Sequence, residues 1–170
     1  MIRFAQMKDL KDIISIYNQA VPYKNATADL KLITPKEGAE RFNVTSQQSY
    51  PFYVKEIDGK AVGWCSLSPY RNGRLALINT AEIVCYVDYS YHRQGIASSL
   101  VRHALDDCRR INKRIVFAIL LERNAVSQKL LQKFGFEKWG YLPEVAEFDG
   151  ELCGHIYMGK KIPGSNEVLI

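Results

Sequence analysis

The chain has 170 residues, of which 47% are hydrophobic and 24% are charged, as is typical of one soluble globular domain. No apolar run approaches the ~20 residues of a membrane-spanning helix, and the charged N-terminus lacks the apolar core of a signal peptide. We therefore expect a cytoplasmic protein without a membrane partner. The net charge of +5 is spread along the chain without a Lys/Arg block or a recognisable nucleic-acid-binding motif, so we expect no nucleic-acid partner.

The four cysteines, Cys65, Cys85, Cys108 and Cys153, lie singly in apolar stretches and form no CxxC pair. The three histidines are not at the spacing of metal ligands either. The pattern therefore indicates buried thiols rather than a disulfide framework, and it predicts no metal site.

The first half of the chain predicts mixed secondary structure. The predicted elements are a strand over 2–5, a helix over 7–20, a loop with a helical turn over 21–34, a helix over 35–45 and strands over 52–57 and 60–67. Pro35 fits the first position of a helix whose N-cap is Thr34. Asp58-Gly59, between two strand-like runs, is a strong short-range signal for a hairpin.

The stretch from Glu82 to Ser99 combines a strand over 83–87, a short loop and a helix. The helix should bury the residues that recur at steps of four, which are Ile96, Leu100, Ala104 and Cys108. The first amides of a helix have no intrahelical partner and carry positive potential, and Gly95 lets an anion approach the backbone. Arg93 adds a formal charge, so the stretch predicts an anion site suited to a pyrophosphate. It matches neither the Walker loop nor the Rossmann loop.

The last third predicts a strand over 114–121, buried on both faces because Ile115 to Leu120 are all apolar. Asn124 can cap the next helix, and Gly135 can end it. The residues that this helix should bury are Val126, Leu130, Leu131 and Phe134. Strand-like runs over 136–147 and 152–158 flank a turn at Asp149-Gly150. The order predicts an α+β fold with a central mixed sheet, as one domain over 1–162 followed by a tail over 163–170.

Two motifs resemble those of the GCN5-related N-acetyltransferase (GNAT) family. The loop from His92 to Ala97 resembles the acyl-CoA loop [Q/R]xxGx[G/A], with His92 where Gln or Arg is usual, and 124–136 resembles NxxSxxLLxxFGF. Within the family the chain looks closest to the phosphinothricin and methionine sulfoximine acetyltransferases, through Thr80-Ala81-Glu82 and several later residues. The resemblance implies the GNAT acyl-CoA N-acyltransferase fold, a mostly antiparallel sheet with two splayed strands and flanking helices.

The resemblance also implies acetyl-CoA as cosubstrate, with its pantetheine arm between the splayed strands. Backbone groups of the strand at Cys85, Tyr86 and Val87 would contact that arm. The pyrophosphate would lie against the loop and helix start, formed by Arg93, Gln94, Gly95, Ile96, Ala97 and Ser98. Asn124 would bind the pantetheine or cap its helix, and both roles are compatible. Ser127 and Lys133 would lie near the phosphates and adenosine.

For catalysis the resemblance implies Glu82 as the general base and the Val87 amide as the group that polarises the thioester carbonyl. A glutamate of ordinary pKa is a weak base, so we expect a raised pKa or a relay through water. Many relatives carry an acidic tyrosine at the position of Leu131, which cannot donate a proton. Among the ten tyrosines, including Tyr17, Tyr86 and Tyr141, the sequence does not single out a substitute.

The implied reaction is direct acetyl transfer, in a ternary complex, to the primary amine of a small amino-acid-like substrate. Arg71 or Arg74 could bind the carboxylate of such a substrate. Asp149 and Cys153 stand where phosphinothricin acetyltransferases have histidines, which puts that specificity in doubt. A protein or peptide N-acetyltransferase and a non-catalytic acyl-CoA-binding module remain alternatives. A homodimer that uses the C-terminal strands is also expected.

Overall fold

A computed structural model describes residues 1–43 and 47–164 of the protein. The described residues form seven strands and four α-helices. Their bounds are β1 Ile2–Phe4, α1 Leu10–Ala20, α2 Pro35–Asn43, β2 Phe52–Ile57, β3 Lys60–Pro69, β4 Thr80–Val87, α3 Ile96–Asp107, β5 Ile115–Leu121, α4 Ala125–Lys133, β6 Glu137–Phe148 and β7 Glu151–Lys161. One sheet has the order β1-β2-β3-β4-β5-β7-β6, in which only β4 and β5 pair in parallel. The predicted order of elements and the mixed sheet are confirmed.

Local turn and cap chemistry explains where several elements begin and end. Asp58 and Gly59 have φ angles of 48° and 77°, so both adopt the left-handed conformation that a tight hairpin requires. At the start of α2, Thr34 and Glu37 form a capping box, with the Thr34 amide donating to the Glu37 carboxylate at 2.6 Å and the Glu37 amide donating to Thr34 Oγ1 at 3.3 Å. The predicted end of this helix at Thr45 lies outside the described residues.

Helices cover both faces of the sheet. On one face α3 buries Leu100, Val101 and Ala104 in a cluster that also contains Ile83 of β4 and Val116 of β5. On the other face α1 packs against β2 and β3 in a second cluster, whose buried members include Ile13, Ile16, Tyr17, Val54 and Trp64. Side chains of β4 therefore alternate between the α3 face and the α1 face.

Two burial predictions are wrong. The strand over 114–121 is not buried on both faces, because only Val116, Ala118 and Leu121 are buried and the residues between them are half-buried. Val126 on α4 is 81% exposed, although its apolar side chain predicted burial. The α1-facing side of β5 is thus partly open, and this opening lies next to Glu82.

The C-terminal hairpin of β6 and β7 ends the sheet. Its pairing shifts register between Lys138 and Gly140 and again between Leu142 and Ala146, which brackets Pro143. The tail over 163–170 is described only at Pro163 and Gly164; its remainder lies outside the described residues. Over 1–43 and 47–164, no helix combines the length and apolar character needed to cross a membrane.

The cysteines are all free thiols. Cys65, Cys108 and Cys153 are buried as predicted, whereas Cys85 on β4 is half-buried. Within the described ranges no group of three or more His, Cys, Asp or Glu side chains is placed to hold a metal ion.

Candidate active site

The parallel strands β4 and β5 separate after a short common stretch. They pair only from Thr80 with Ile115 to Glu82 with Phe117, although β4 continues to Val87. On their outer edges β4 pairs with β3 up to Val87, and β5 pairs with β7 along its whole length. The inner edges beyond Glu82 therefore border a slot within the sheet, as the resemblance implied.

Backbone alternation identifies the groups that face this slot. The Asp88 amide donates to the Val62 carbonyl of β3 at 3.0 Å, so the even-numbered residues of β4 direct their backbone groups to β3. The odd-numbered residues, among them Cys85 and Val87, direct theirs to the slot. The Val87 carbonyl lies 3.0 Å from His92 Nε2, so Val87 offers mainly its amide to a ligand.

Tyr86 faces away from the slot. Its backbone pairs with β3 opposite Trp64, and its phenol donates to the Ala26 carbonyl at 2.7 Å on the α1 face. The structure therefore does not bring Tyr86 together with the slot-facing groups of Cys85 and Val87.

The loop after β4 leads into an open helix start. Gly95 is the N-cap of α3 with a φ angle of +75°, and a Cβ built there would meet no atom within 4 Å. The first backbone hydrogen bond of the helix runs from the Ser99 amide to the Gly95 carbonyl at 3.0 Å, which leaves the amides of 96–98 for another acceptor. Arg93 and Gln94 are exposed beside this helix start. The geometry suits a phosphate group.

The start of α4 lies after the end of β5. Asn124 caps this helix, because its side-chain oxygen accepts the Ser127 amide at 3.1 Å. The capping role is thus confirmed, and a second role toward a ligand stays a prediction. Ser127 is half-buried, whereas Lys133 at the other end of the helix is exposed.

Glu82 lies at the closed end of the slot. Its side chain is half-buried on the α1 face, between Ser68 of β3 and Phe117 of β5 in the register of the sheet. Burial raises the pKa of the Glu82 carboxyl, and no cation among the described residues forms an ion pair with it. A carboxylate in this setting is a stronger base than an exposed glutamate.

Arg71 and Arg74 are exposed in the loop before β4. The Arg71 guanidinium lies 5.9 Å from the centre of the Tyr70 ring, and Tyr70 in turn lies 5.0 Å from the Phe117 ring. Arg71 is therefore near the Glu82 side of the sheet. Neither arginine forms an ion pair with a carboxylate of the described residues.

Sequence reasoning missed a group of aromatic side chains beside Glu82. Phe117 lies 5.4 Å from Trp139 and 6.4 Å from Tyr157, measured between ring centres. With Tyr70, these rings form a continuous surface on the α1-facing side. The signal that could have found them is the alternation along β5, which places Phe117 on the same face as Glu82.

The loop over 21–34 extends across this face. The Tyr86 phenol holds it at Ala26, and Tyr17 donates to Asp29 at 2.5 Å. At its start Lys24 pairs with Asp149 in the β6–β7 turn. The loop therefore spans from α1 to the C-terminal hairpin across the face of β4 on which Tyr86 lies.

The tyrosines named as alternative proton donors are engaged elsewhere. Tyr17 donates to Asp29, Tyr86 donates to the Ala26 carbonyl, and Tyr141 donates to Glu122 at 2.7 Å. Leu131 is 5% exposed in the core. None of these four side chains provides a free acid at the slot.

Comparison with known proteins agrees with this geometry. The family model described as "Acetyltransferase (GNAT) family" matches residues 10–136. The chain is 32% identical over 162 residues to the Bacillus subtilis protein named "Putative phosphinothricin acetyltransferase YwnH", covering 95% of this chain and 98% of the relative. It is 30% identical to the L-methionine sulfoximine/L-methionine sulfone acetyltransferase of Pseudomonas paraeruginosa, covering 92% and 91% of the two chains.

A solved structure shows the same architecture with the cofactor present. The structure of yncA from Salmonella typhimurium with acetyl-CoA has a TM-score of 0.89 and 25% identity, covering 95% of this chain and 93% of that one. The family model spans more than half of the chain. The protein therefore belongs to the GNAT family of acetyltransferases.

Proposed function

We propose that the protein transfers an acetyl group from acetyl-CoA to the primary amine of a small amino-acid-like acceptor. The observation that carries this proposal is Glu82, a half-buried carboxylate without an ion-pair partner in the described structure, at the closed end of a slot between strands. An ammonium ion has no lone pair with which to attack a thioester, so the reaction needs a proton acceptor at this point. Two relatives, one named as a putative phosphinothricin acetyltransferase and one as an L-methionine sulfoximine/L-methionine sulfone acetyltransferase, support an amino-acid-like acceptor.

For the cosubstrate, we propose that slot-facing backbone groups of Cys85 and Val87 bind the pantetheine amides. The free amides at the start of α3 and the Arg93 side chain would hold the pyrophosphate. The remaining contacts, with the pantetheine and the adenosine end, would come from Asn124 at the start of α4 and from Ser127 and Lys133 within it.

In the transfer step Glu82 accepts the proton of the acceptor amine, and the nitrogen attacks the thioester directly in a ternary complex. The Val87 amide faces the slot and polarises the thioester carbonyl. Five residues of extended strand, about 16 Å, separate Val87 from Glu82, so the proton reaches Glu82 through water. Because Tyr17, Tyr86 and Tyr141 are engaged elsewhere, CoA leaves as a thiolate or takes its proton from solvent.

We propose that Arg71, with Arg74 beside it, binds the acceptor carboxylate. Both side chains are exposed and lack carboxylate partners within the described structure. The loop over 21–34 contacts Tyr86, whose side chain lies on the same face of β4 as Glu82, and is tied to the C-terminal hairpin through Lys24 and Asp149. A loop in this place favours a small acceptor over an extended peptide.

We further propose a cytoplasmic homodimer that uses the C-terminal hairpin. Four free cysteines suit a reducing compartment. β6 is an edge strand of the sheet, and apolar side chains of the hairpin are exposed, with 43% of Leu142, 52% of Val145 and 54% of Leu152 accessible. Size-exclusion chromatography with light scattering should give twice the mass of the 19.4 kDa chain.

The decisive experiment combines an acceptor screen with one substitution. Purified protein and acetyl-CoA are incubated with amino acids, sulfoximine, sulfone and phosphinic analogues, and lysine-containing peptides, and acetylated products are measured by mass spectrometry. We expect acetylation of amino-acid-like amines and a loss of about 10²- to 10⁴-fold in kcat for Glu82→Gln, with acetyl-CoA affinity unchanged. Acetylation of the peptides alone would contradict the proposal, and turnover that is indifferent to Glu82→Gln would remove Glu82 from it.

A further inference from the structure

The aromatic surface beside Glu82 carries an inference about the acceptor itself. We name the four rings of Tyr70, Phe117, Trp139 and Tyr157 the aromatic shelf. Each neighbouring pair in the shelf has ring centres 5.0 to 6.4 Å apart, with Phe117 in the middle. Trp139 remains 40% exposed, so the shelf has a free surface.

Sheet register places the shelf beside the base. At one level of the sheet, Glu82 of β4 is opposite Phe117 of β5, and Phe117 is opposite Gly159 of β7. The Trp139 ring lies directly on Gly159, because a Cβ built on Gly159 would be 2.0 Å from Trp139 Cε3. Successive strands are about 4.8 Å apart, so Trp139 is seated about 10 Å from the Glu82 strand. One water molecule on the Glu82 carboxylate and an aromatic amino acid beyond it together span roughly this distance.

The third point of contact is a cation beside the shelf. The Arg71 guanidinium lies 5.9 Å from the centre of the Tyr70 ring, and Tyr70 in turn contacts Phe117. An amino acid whose amine reaches Glu82 through water, with its carboxylate toward Arg71, would direct its side chain along the rings of Phe117 and Trp139. Offset and edge-to-face contacts between aromatic rings are favourable at such spacings.

We propose that the acceptor is an aromatic L-amino acid whose side chain lies on the aromatic shelf, and that Trp139 determines this specificity. The inference rests on the proposed function, since it assigns the acceptor of that same site. Phosphinic and sulfoximine side chains are strongly polar, and on this shelf they would exchange water largely for ring surface, with only the Tyr70 and Tyr157 hydroxyls and the Trp139 indole N–H of the shelf to hydrogen-bond them.

The test measures kcat/KM for L-phenylalanine, L-alanine and L-methionine sulfoximine with acetyl-CoA. We expect phenylalanine to exceed both others by at least about tenfold. Trp139→Ala should lower the phenylalanine value about tenfold, mainly through KM, and leave the alanine value unchanged. The matched control is Met7→Ala, an apolar side chain that is 57% exposed and follows β1 at the opposite edge of the sheet, which should change neither value.

Two further variants keep the test decisive if Trp139→Ala folds poorly. Gly159→Ala retains the Trp139 indole, but the added methyl group would displace the ring from its position on Gly159. It should therefore also weaken the preference for phenylalanine. Trp139→Phe keeps an aromatic ring and should preserve most of that preference. Of the two tryptophans in the chain, Trp64 is buried, so a fluorescence change on adding L-phenylalanine should come from Trp139 and vanish in Trp139→Phe.

The outcomes separate this inference from the proposed function. Efficient acetylation of methionine sulfoximine with poor use of phenylalanine, or an equal effect of Trp139→Ala on all acceptors, would overturn the shelf assignment and leave the acetyltransferase intact. If no amino acid is acetylated, the proposed function fails, and the fluorescence titration decides the shelf alone. No change in Trp139 emission at millimolar phenylalanine would then refute it.

Discussion

Replacing Gly95 with alanine tests whether the start of α3 holds the diphosphate of the cosubstrate. Gly95 has a φ angle of +75°, and an added Cβ would meet no atom within 4 Å. Without ligand the cost is therefore confined to the backbone, about 1–2 kcal/mol for a left-handed non-glycine residue. In a chain of 170 residues, each kcal/mol lowers Tm by about 2–4 °C, so we expect a fall of about 2–8 °C.

The ligand changes this result, because the new methyl group would occupy the space through which a phosphate approaches the free amides. We expect the Kd for acetyl-CoA, measured by isothermal titration calorimetry, to rise at least about tenfold, which corresponds to about 1.4 kcal/mol. Gly59→Ala is the matched control, since Gly59 has a φ angle of +77° and also lacks neighbours within 4 Å. It should lower Tm by a similar amount without changing the Kd. Equal acetyl-CoA affinity in both variants would refute the anion site at Gly95.

Three other predictions concern single side chains. Burial raises the folded-state pKa of Glu82, so ionisation of its carboxyl destabilises the fold as the pH rises above the ordinary glutamate range. Glu82→Gln should therefore have a higher Tm than the wild type at pH 7.5, and the difference should vanish near pH 4. A difference in Tm that does not change with pH would contradict burial of the carboxylate as its cause. Arg3 donates two hydrogen bonds, of 2.7 and 2.8 Å, to the Asp9 carboxylate, which is only 4% exposed. Arg3→Ala removes this cation and should lower the free energy of unfolding, measured in urea, by about 3 kcal/mol. His92→Ala removes the contact with the Val87 carbonyl at 3.0 Å and should raise KM for acetyl-CoA a few-fold, whereas His92→Gln should restore it if a hydrogen bond is responsible.

The parts of the fold that sequence predicts are those governed by local chemistry. Asp58-Gly59 forms the hairpin because its residues accept left-handed φ angles, and Asn124 begins α4 because its side chain satisfies the Ser127 amide. The buried face of α3 follows from the helical period, with Leu100 and Ala104 fully buried. These features need no knowledge of distant parts of the chain.

The features that sequence does not predict depend on register between strands. The burial of Phe117 depends on which elements cover the α1 face of β5. The hydrophobicity of the sequence alone does not reveal those elements. The position of Trp139 depends on the register shift between Lys138 and Gly140 and on Gly159 two strands from Glu82. The family resemblance identified Glu82 as the candidate general base. The raised pKa of its carboxyl follows from burial, which only the structure shows.

The parting of β4 from β5 has a consequence for self-association. Unpaired strand edges generally invite another chain to add a strand, which leads to aggregation. Here two such edges face each other in the interior of one sheet and join at Glu82 and Phe117, so an incoming polypeptide would have to thread between them. The pantetheine arm of acetyl-CoA has amides but no side chains, so it can enter this gap between β4 and β5, whereas a strand of another protein cannot. The narrow gap that accepts pantetheine therefore also protects the protein from aggregation.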